Sequence, residues 1–182
     1  DLDIPSGGLK RLYHHVEVLN QVGLPAFILH VKSGFKIADM PDVPIKYLDT
    51  QQALSPGDIV VIPETFPDFM QRLVGKPLRK FVIALSWAFI YSPMPWRTDW
   101  RNFEIERVLT VTDYVEDFVT WSMGLPVHQL AFSINPQKYY YDPSVKKPQI
   151  CVFGRKAPCI GPLRNLLGAR DPAYINDISW KV

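Results

Sequence analysis

The sequence predicts an α/β fold built on a mostly parallel sheet. Short and mostly apolar runs, such as Ile59–Ile62 and Lys80–Leu85, have the β-branched character of strands that are buried on both faces. Between such runs lie segments with helical spacing of apolar residues, of which 9–19 is the clearest. Strands that alternate with helices along a chain are typical of a parallel sheet with helical crossovers.

Composition and charge restrict the class of protein. The chain has 182 residues, of which 47% are hydrophobic and 21% charged, and its net charge is +2. This composition indicates a globular protein, and the small net charge argues against nucleic acid as a partner. No apolar run approaches the roughly 20 residues of a transmembrane helix. Because the two cysteines of the chain are expected to be reduced thiols, we expect a cytoplasmic protein. Peripheral membrane association stays open.

The cysteines give no sign of a metal site. Cys151 and Cys159 are the two cysteines of the chain, and neither has the spacing of a metal-ligand pair. Both are expected to be reduced thiols, and we expect neither a metal nor another cofactor.

The first unit of the fold is predicted near the amino-terminal end, where a glycine turn, an amphipathic helix and a buried strand follow each other. Ser6, Gly7 and Gly8 open the helix, and two adjacent glycines let the backbone turn tightly. Because the first N–H groups of a helix lack partners within it, such a start favours an anion. A glycine pair can equally form a strand-to-helix turn that has no ligand above it.

This helix is predicted to bury one face, since Leu12, Val16 and Leu19 follow helical spacing with Tyr13 on the flank. Polar side chains are expected on the other faces: Lys10, Arg11, His14 and Glu17. His15 lies at the edge of the apolar stripe and is expected to be packed. Neighbouring helical residues point about 100° apart, so the two adjacent histidines cannot be metal ligands on one face.

The remaining elements are predicted from the same patterns of apolar residues. Strands are predicted at 26–31, 45–48, 108–111, 127–132, 149–153 and 177–182, and helices at 66–73, 99–107, from 112 onward and at 162–168. Asp113 and Glu116 have the spacing of a capping box at one of these helix starts.

Polar residues follow the predicted strand 59–62. Glu64 and Thr65 come at its carboxyl end, and ligands of open α/β sheets gather outside the carboxyl ends of the strands. The alternative interpretation is structural, with Thr65 capping the next helix and Glu64 in solvent.

An aromatic and proline-rich loop follows the next strand and extends from Ser86 to Trp96. Trp87 and Tyr91 offer flat apolar faces on which a sugar ring can stack, so the loop is a candidate pocket wall. The same residues can also serve only to close the edge of the domain, and the sequence leaves both interpretations open.

Two strings resemble a known family. SGGLKRLYHHVEVLNQVGLPAFILH is similar to the first loop and helix of retaining glycosyltransferases of family 4, which have the GT-B architecture of two facing Rossmann-like domains. VLTVTDYVEDFV resembles that family's pattern of a hydrophobic strand, a hydroxyl residue, an acidic residue and a helix. The resemblance implies that Gly7 and Gly8 lie at the cleft floor near the donor diphosphate. The candidates for the acceptor side of the cleft are Ser6, Glu64, Thr65, Trp87 and Tyr91.

A third string, Gly154-Arg155-Lys156, follows the first strand of the carboxyl-terminal part. The resemblance implies that Arg155 and Lys156 hold the donor diphosphate. Departure of a nucleoside diphosphate builds negative charge on its oxygens, and paired cations stabilise that charge without a metal. Many relatives place the lysine several residues after the arginine, whereas here the two are adjacent. No general base or nucleophile is assigned.

The resemblance also implies a domain organisation. Residues 1–140 are the amino-terminal Rossmann-like domain, 141–148 a linker, and 149–182 the first part of a donor-binding domain. The family's acidic donor motif is expected beyond Val182, and the strand before the glycine turn is missing or reduced to Leu2-Asp3-Ile4. We therefore expect a fragment of a longer enzyme that is inactive by itself.

The sequence thus predicts retaining transfer of a sugar from a nucleotide-sugar donor to a saccharide or other small acceptor. The alternative is a non-catalytic Rossmann-like binding or scaffold domain whose aromatic loop docks a partner. The chain contains no Gly-x-Ser-x-Gly nucleophile elbow, no Walker loop and no GxGxxG, which argues against a serine hydrolase, a P-loop NTPase and a dehydrogenase.

Overall fold

The structure is a computed structural model that describes residues 7–37, 40–49, 54–130, 140–145, 151–153 and 173–175. The chain divides into two compact units, Asp1–Ser133 and Ile134–Val182. Strands of both units form parallel pairs, so the predicted α/β class with a mostly parallel sheet is confirmed. The predicted domain boundaries at 140 and 149 stay predictions.

The first unit contains three helices and six strands within the described residues. The helices are α1 (Gly7–Gln21), α2 (Pro67–Leu73) and α3 (Asp113–Met123). The strands are β1 (Ile28–His30), β2 (Ile45–Tyr47), β3 (Ile59–Pro63), β4 (Arg79–Ala84), β5 (Arg107–Thr110) and β6 (Val127–Gln129). Two short 3₁₀ turns lie at Trp87–Phe89 and Trp100–Phe103. No helix of the described part is long and apolar enough to cross a membrane.

The strands of this unit form two sheets. β1 pairs with β2, and β3 to β6 form a four-stranded sheet in sequence order with every pair parallel. The central row of the larger sheet aligns Ile62, Val82, Val108 and Val127. Because all strands run in the same direction, their carboxyl ends lie along one edge of the sheet.

One face of the four-stranded sheet carries the main core. Side chains from alternate strand positions pack there against α2, α3 and the turn at 100–103. The buried members of this cluster are Val60, Ile62, Met70, Leu73, Val82, Ala84, Ile90, Trp100, Phe103, Ile105, Val108, Val115, Val119 and Met123.

α1 packs on the smaller sheet, and its buried face is not the predicted one. Tyr13 and Val16 are buried in a cluster with Ile37 and Val43, whereas Leu19 is exposed. Arg11, which was expected on a solvent face, is also buried. The helix is therefore rotated relative to the predicted stripe, because it packs on β1 through Tyr13.

Asn20 fixes the end of α1. Its side-chain amide donates to the carbonyls of Val16 and Ala26, and its Oδ1 accepts from the Ala26 N–H. Gly23 follows with φ +82°, a left-handed conformation that favours glycine. This arrangement turns the chain directly into β1.

The predicted helix starts at Asp99 and Thr112 agree with the structure to within one residue, whereas the length of the first helix and the capping box of the second were predicted wrongly. The helix predicted at 99–107 is only the short turn at 100–103, since Glu104 adopts a left-handed conformation (φ +59°) and ends it. A capping box does form there, between Asp99 and Asn102. At α3 the N-cap is Thr112 without a side-chain bond, and Asp113 instead accepts a hydrogen bond from Gln129.

The second unit is described in fewer residues. Its strands β7 (Cys151–Phe153) and β8 (Ala173–Ile175) are parallel and pair in the register Val152 to Tyr174. β7 agrees with a predicted strand, whereas β8 was not predicted. The predicted helix at 162–168 and strand at 177–182 lie outside the described residues, as does Cys159.

Candidate functional site

The carboxyl edge of the four-stranded sheet gathers the candidate residues of the first unit. Here the carboxyl edge means the residues that directly follow β3, β4 and β5. Glu64 and Thr65 follow β3, and Ser86 and Trp87 follow β4. The Glu64 N–H donates to the Ile83 carbonyl at 3.2 Å, which extends the ladder between the two strands into the edge.

Glu64 is a buried carboxyl group with a relative exposure of 4%. Burial raises its pKa, while the backbone N–H groups of Glu64, Leu85 and Ser86 act in the opposite direction. The interpretation of Glu64 as a solvated side chain is therefore wrong. A buried acid that faces the backbone N–H groups of the neighbouring strand end can tie the ends of the two strands together.

Thr65 is exposed and does not cap α2. The N-cap of that helix is Phe66, which has no side-chain capping bond, and Pro67 opens the helix. The alternative structural role for Thr65 is thus wrong, and its hydroxyl stays available at the carboxyl edge.

Four aromatic side chains form a continuous aromatic surface next to this edge. Its members are Trp87, Tyr91, Phe118 and Trp121. Phe118 lies in the middle, with ring centroids 6.4 Å from Trp87, 6.1 Å from Tyr91 and 6.1 Å from Trp121. Trp87 and Trp121 are 61% and 82% exposed. The aromatic surface therefore presents apolar ring area to solvent.

The sequence reasoning identified the half of this surface that comes from the loop and missed the half on α3. Phe118 and Trp121 lie three positions apart and hence on one side of the helix, whereas Val115 and Val119 face the core. The three-residue spacing of Phe118 and Trp121 on one helix was the sequence signal that could have revealed this half of the aromatic surface.

An ion pair between Asp99 and Arg101 lies at the turn at 100–103. The Arg101 guanidinium donates to both carboxylate oxygens of Asp99, with Nη2 to Oδ2 at 2.6 Å and Nε to Oδ1 at 3.0 Å. The hydrogen bond from Arg101 lowers the pKa of Asp99. The pair stabilises the turn at 100–103, where the Asp99 carboxylate also accepts from the Arg101 backbone N–H.

A second polar cluster occupies the carboxyl end of β1. His30 is buried and its Nε2 lies 2.8 Å from the hydroxyl of Tyr13, which reaches it from α1. The ring of Phe35 contacts His30 edge-on at 4.8 Å. Burial lowers the pKa of His30 and raises that of Tyr13, so both groups are kept neutral near pH 7.

We expect replacement of Tyr13 by phenylalanine to lower the free energy of unfolding by about 1–2 kcal/mol, because it removes a buried hydrogen bond from His30. Urea denaturation measures this difference. Tyr114→Phe is the matched control, since that ring is exposed on α3 and the same change should stay within about 0.5 kcal/mol. Equal effects of the two substitutions would contradict a stabilising role for the Tyr13–His30 bond.

Gly7 and Gly8 are the first two residues of α1, so the predicted helix start at the glycine pair is confirmed. A Cβ atom added to Gly7 would meet nothing within 4 Å, so packing among the described residues does not require glycine there. Within the described residues, no hydrogen bond, ion pair or ring contact joins either glycine to Glu64, Thr65 or Trp87.

Three candidates fall in parts of the chain that the structure does not describe. Ser6, Arg155 and Lys156 lie outside the described residues. No group of three or more His, Cys, Asp or Glu side chains in the described part could hold a metal ion.

Comparison with protein-family models, with curated proteins and with solved structures yields no match for this chain.

Proposed function

We propose that this chain belongs to a retaining glycosyltransferase that moves a sugar from a nucleotide-sugar donor to a saccharide or other small acceptor. In this proposal residues 1–140 form the acceptor-side domain and 149–182 begin the donor-binding domain of a cytoplasmic GT-B enzyme. The proposed transfer needs neither a metal nor another cofactor.

The observation that supports the proposal best is the composition of the carboxyl edge. A buried carboxyl group, Glu64, stands between the ends of two parallel strands, and the exposed rings of Trp87 and Tyr91 lie in the loop that follows. Carboxylates bind sugar hydroxyls, and aromatic faces stack on the C–H faces of a sugar ring. In parallel α/β sheets this is also the edge where ligands bind.

In the same proposal Arg155 and Lys156 stabilise the departing nucleoside diphosphate. Two adjacent cations offset the negative charge that develops on the diphosphate as the glycosidic bond to the donor breaks. The first-turn N–H groups of α1 at Gly7 and Gly8 add partial positive charge at the cleft.

Calorimetric titration of the longest naturally encoded form with UDP, GDP, dTDP and their sugars tests this proposal. We expect one nucleotide to bind, and we expect Arg155→Ala or Lys156→Ala to weaken that binding at least about tenfold, because each removes one charge-assisted contact. Lys76→Ala is the control, since this exposed lysine belongs to a turn of the first unit. Binding that is unaffected by both substitutions, or absent from the folded protein, would overturn the proposal.

The aromatic surface favours a second candidate from another class. A non-catalytic binding or scaffold domain would use Trp87 and its neighbours to dock a protein partner, because large exposed aromatic patches are typical of interfaces. This candidate predicts no nucleotide affinity at all. The same titration therefore separates the two functions.

A further inference from the structure

One side of α3 is aromatic and exposed, and what it implies does not depend on the proposed function. Tyr114, Phe118 and Trp121 are separated by four and three positions, so they lie along the same side of the helix. Tyr114 and Trp121 are 81% and 82% exposed, whereas Val115 is buried in the core. These three aromatic residues and Asp117 are called the outer face of α3.

Packing within the fold explains only part of this face. The Phe118 ring contacts Trp87 and Tyr91, so it helps to hold the loop against α3. The Trp121 ring contacts Phe118 at 6.1 Å and otherwise lies largely in solvent. Exposed rings of this size contribute little to the core, and contiguous exposed aromatic area is typical of a surface that binds a partner.

The charge on this part of the chain has one sign. Residues 108–129 include three carboxylates, Asp113, Glu116 and Asp117, and no Lys or Arg. Asp117 comes three positions after Tyr114, which places it on the outer face. Among the residues that the structure describes, no basic side chain forms an ion pair with any of the three carboxylates. Negative charge therefore borders the exposed rings.

The helix dipole accounts for two of these carboxylates and leaves the third unexplained. Asp113 and Glu116 lie in the first turn of α3, where negative charge stabilises a helix. Asp117 lies beyond that turn, where the dipole effect falls off, and it is exposed. Its carboxylate is thus placed to bind a partner.

Exposed rings beside carboxylates favour a cationic partner. A guanidinium or ammonium group is attracted to the face of Trp or Tyr and forms charge-assisted hydrogen bonds with a carboxylate. The same carboxylates repel nucleic acids and anionic membrane surfaces. Helices that bind such membranes carry Lys or Arg on their polar face, and α3 contains neither.

A second copy of this chain fits the outer face of α3 poorly. Copies related by a two-fold axis place the same surface of each chain opposite the other. Asp117 of one copy would then face the acidic helix of its partner, and like charges opposite each other are unfavourable.

We propose that the outer face of α3 binds a basic segment of another polypeptide. Lys or Arg side chains of that segment lie over the rings of Tyr114 and Trp121, and one of them pairs with Asp117. The aliphatic stems of the same side chains cover the apolar ring area between these positions.

A nuclear magnetic resonance titration of the ¹⁵N-labelled, longest naturally encoded chain with a capped hexa-arginine peptide tests the proposal. We expect chemical-shift changes at the indole N–H of Trp121 and at the amide of Asp117, and these changes should decrease in high salt. Trp96 is the internal control, because it is 87% exposed but precedes Arg97 and should not respond. A capped hexa-glutamate peptide should leave all of these signals unchanged.

Matched substitutions separate this face from a general attraction between charges. Asp117→Asn and Trp121→Ala should each weaken the binding of hexa-arginine at least about threefold, because each removes one contact with an exposed cation. Asp68→Asn removes the same charge from the exposed start of α2 and should leave the affinity unchanged.

Three results would overturn the proposal. The first is the absence of binding, and the second is an equal response of Trp96 and Trp121 or an equal effect of Asp68→Asn and Asp117→Asn. The third is a response of Trp121 to simple saccharides with none to hexa-arginine, which would assign the outer face of α3 to a sugar.

Discussion

Replacing Trp100 by alanine is expected to lower the free energy of unfolding of the first unit by about 4 kcal/mol. Trp100 is completely buried in the main core, between the four-stranded sheet and α2. Removal of the indole leaves a large cavity, because the surrounding side chains are held by strands that cannot collapse into it. Urea denaturation followed by far-UV circular dichroism measures the change.

Two further tryptophan variants make this prediction specific. Trp96 lies in the same loop region but is 87% exposed, so Trp96→Ala should change the free energy of unfolding by no more than about 0.5 kcal/mol. Trp100→Phe should cost less than about 1.5 kcal/mol, because the buried Nε1 has no hydrogen-bond partner among the described residues. Equal losses of unfolding free energy for Trp100→Ala and Trp96→Ala would contradict the placement of Trp100 in the main core.

Acidification is expected to destabilise the first unit between about pH 6.5 and pH 4, and His15 is expected to cause much of the loss. Burial lowers the pKa of His15 to about 4, and the charges of Arg11 and His14 act in the same direction. In the unfolded chain its pKa returns to about 6.5. The unfolded state therefore binds more protons in this range, so stability falls as the pH falls.

The size of this effect follows from the difference between the two pKa values. A shift of about 2.5 corresponds to about 3 kcal/mol for a fully buried group, and because His15 is half-buried, solvent screening reduces the expected contribution to about 1–2 kcal/mol, present above pH 6.5 and lost by pH 4. His15→Gln should remove this part of the pH dependence, whereas His128→Gln, on the exposed side of β6, should leave it unchanged. An identical slope of stability against pH in the wild type and His15→Gln would contradict the prediction.

The strands could be predicted from the sequence because their signal is local. The β-branched run at Ile59–Ile62 agrees with β3 to within one residue, and the other predicted strands of the first unit overlap the observed ones. Such runs are typical of strands in a parallel sheet, and in β3 the sheet buries Val60 and Ile62 on its core face. The start of α1 at the glycine pair is equally local, since it depends on backbone freedom at neighbouring residues.

The features that were predicted wrongly depend on contacts with residues far away in the sequence. The helix predicted at 99–107 ends early because the Glu104 carboxylate binds the Gly75 N–H and the buried Lys80 ammonium, which holds Glu104 in a left-handed conformation. The buried face of α1 is set by the bond from Tyr13 to His30, seventeen residues later. The spacing of apolar residues along the chain reveals neither the contacts of Glu104 nor the bond between Tyr13 and His30.

The candidate site could be predicted only in part, because some of its features likewise depend on contacts between residues that are distant in the sequence. Glu64 and Trp87 were found because they follow strands, and the rule that ligands bind at carboxyl ends needs only the strand positions. That Glu64 is buried and faces the N–H groups of Leu85 and Ser86 depends on the pairing of β3 with β4. The contribution of α3 likewise depends on how Phe118 packs against Trp87 and Tyr91 of the loop.

In the proposed function, the carboxyl edge of the four-stranded sheet binds the sugar ligand. The most direct test of this claim is a nuclear magnetic resonance titration of the ¹⁵N-labelled, longest naturally encoded chain with UDP-, GDP- and dTDP-sugars and simple saccharides. We predict chemical-shift changes at the amides of Thr65, Ser86 and Trp87, with none at Asp58 and Arg79 on the opposite edge. Changes confined to Asp58 and Arg79, or no changes with any of these compounds, would contradict the claim.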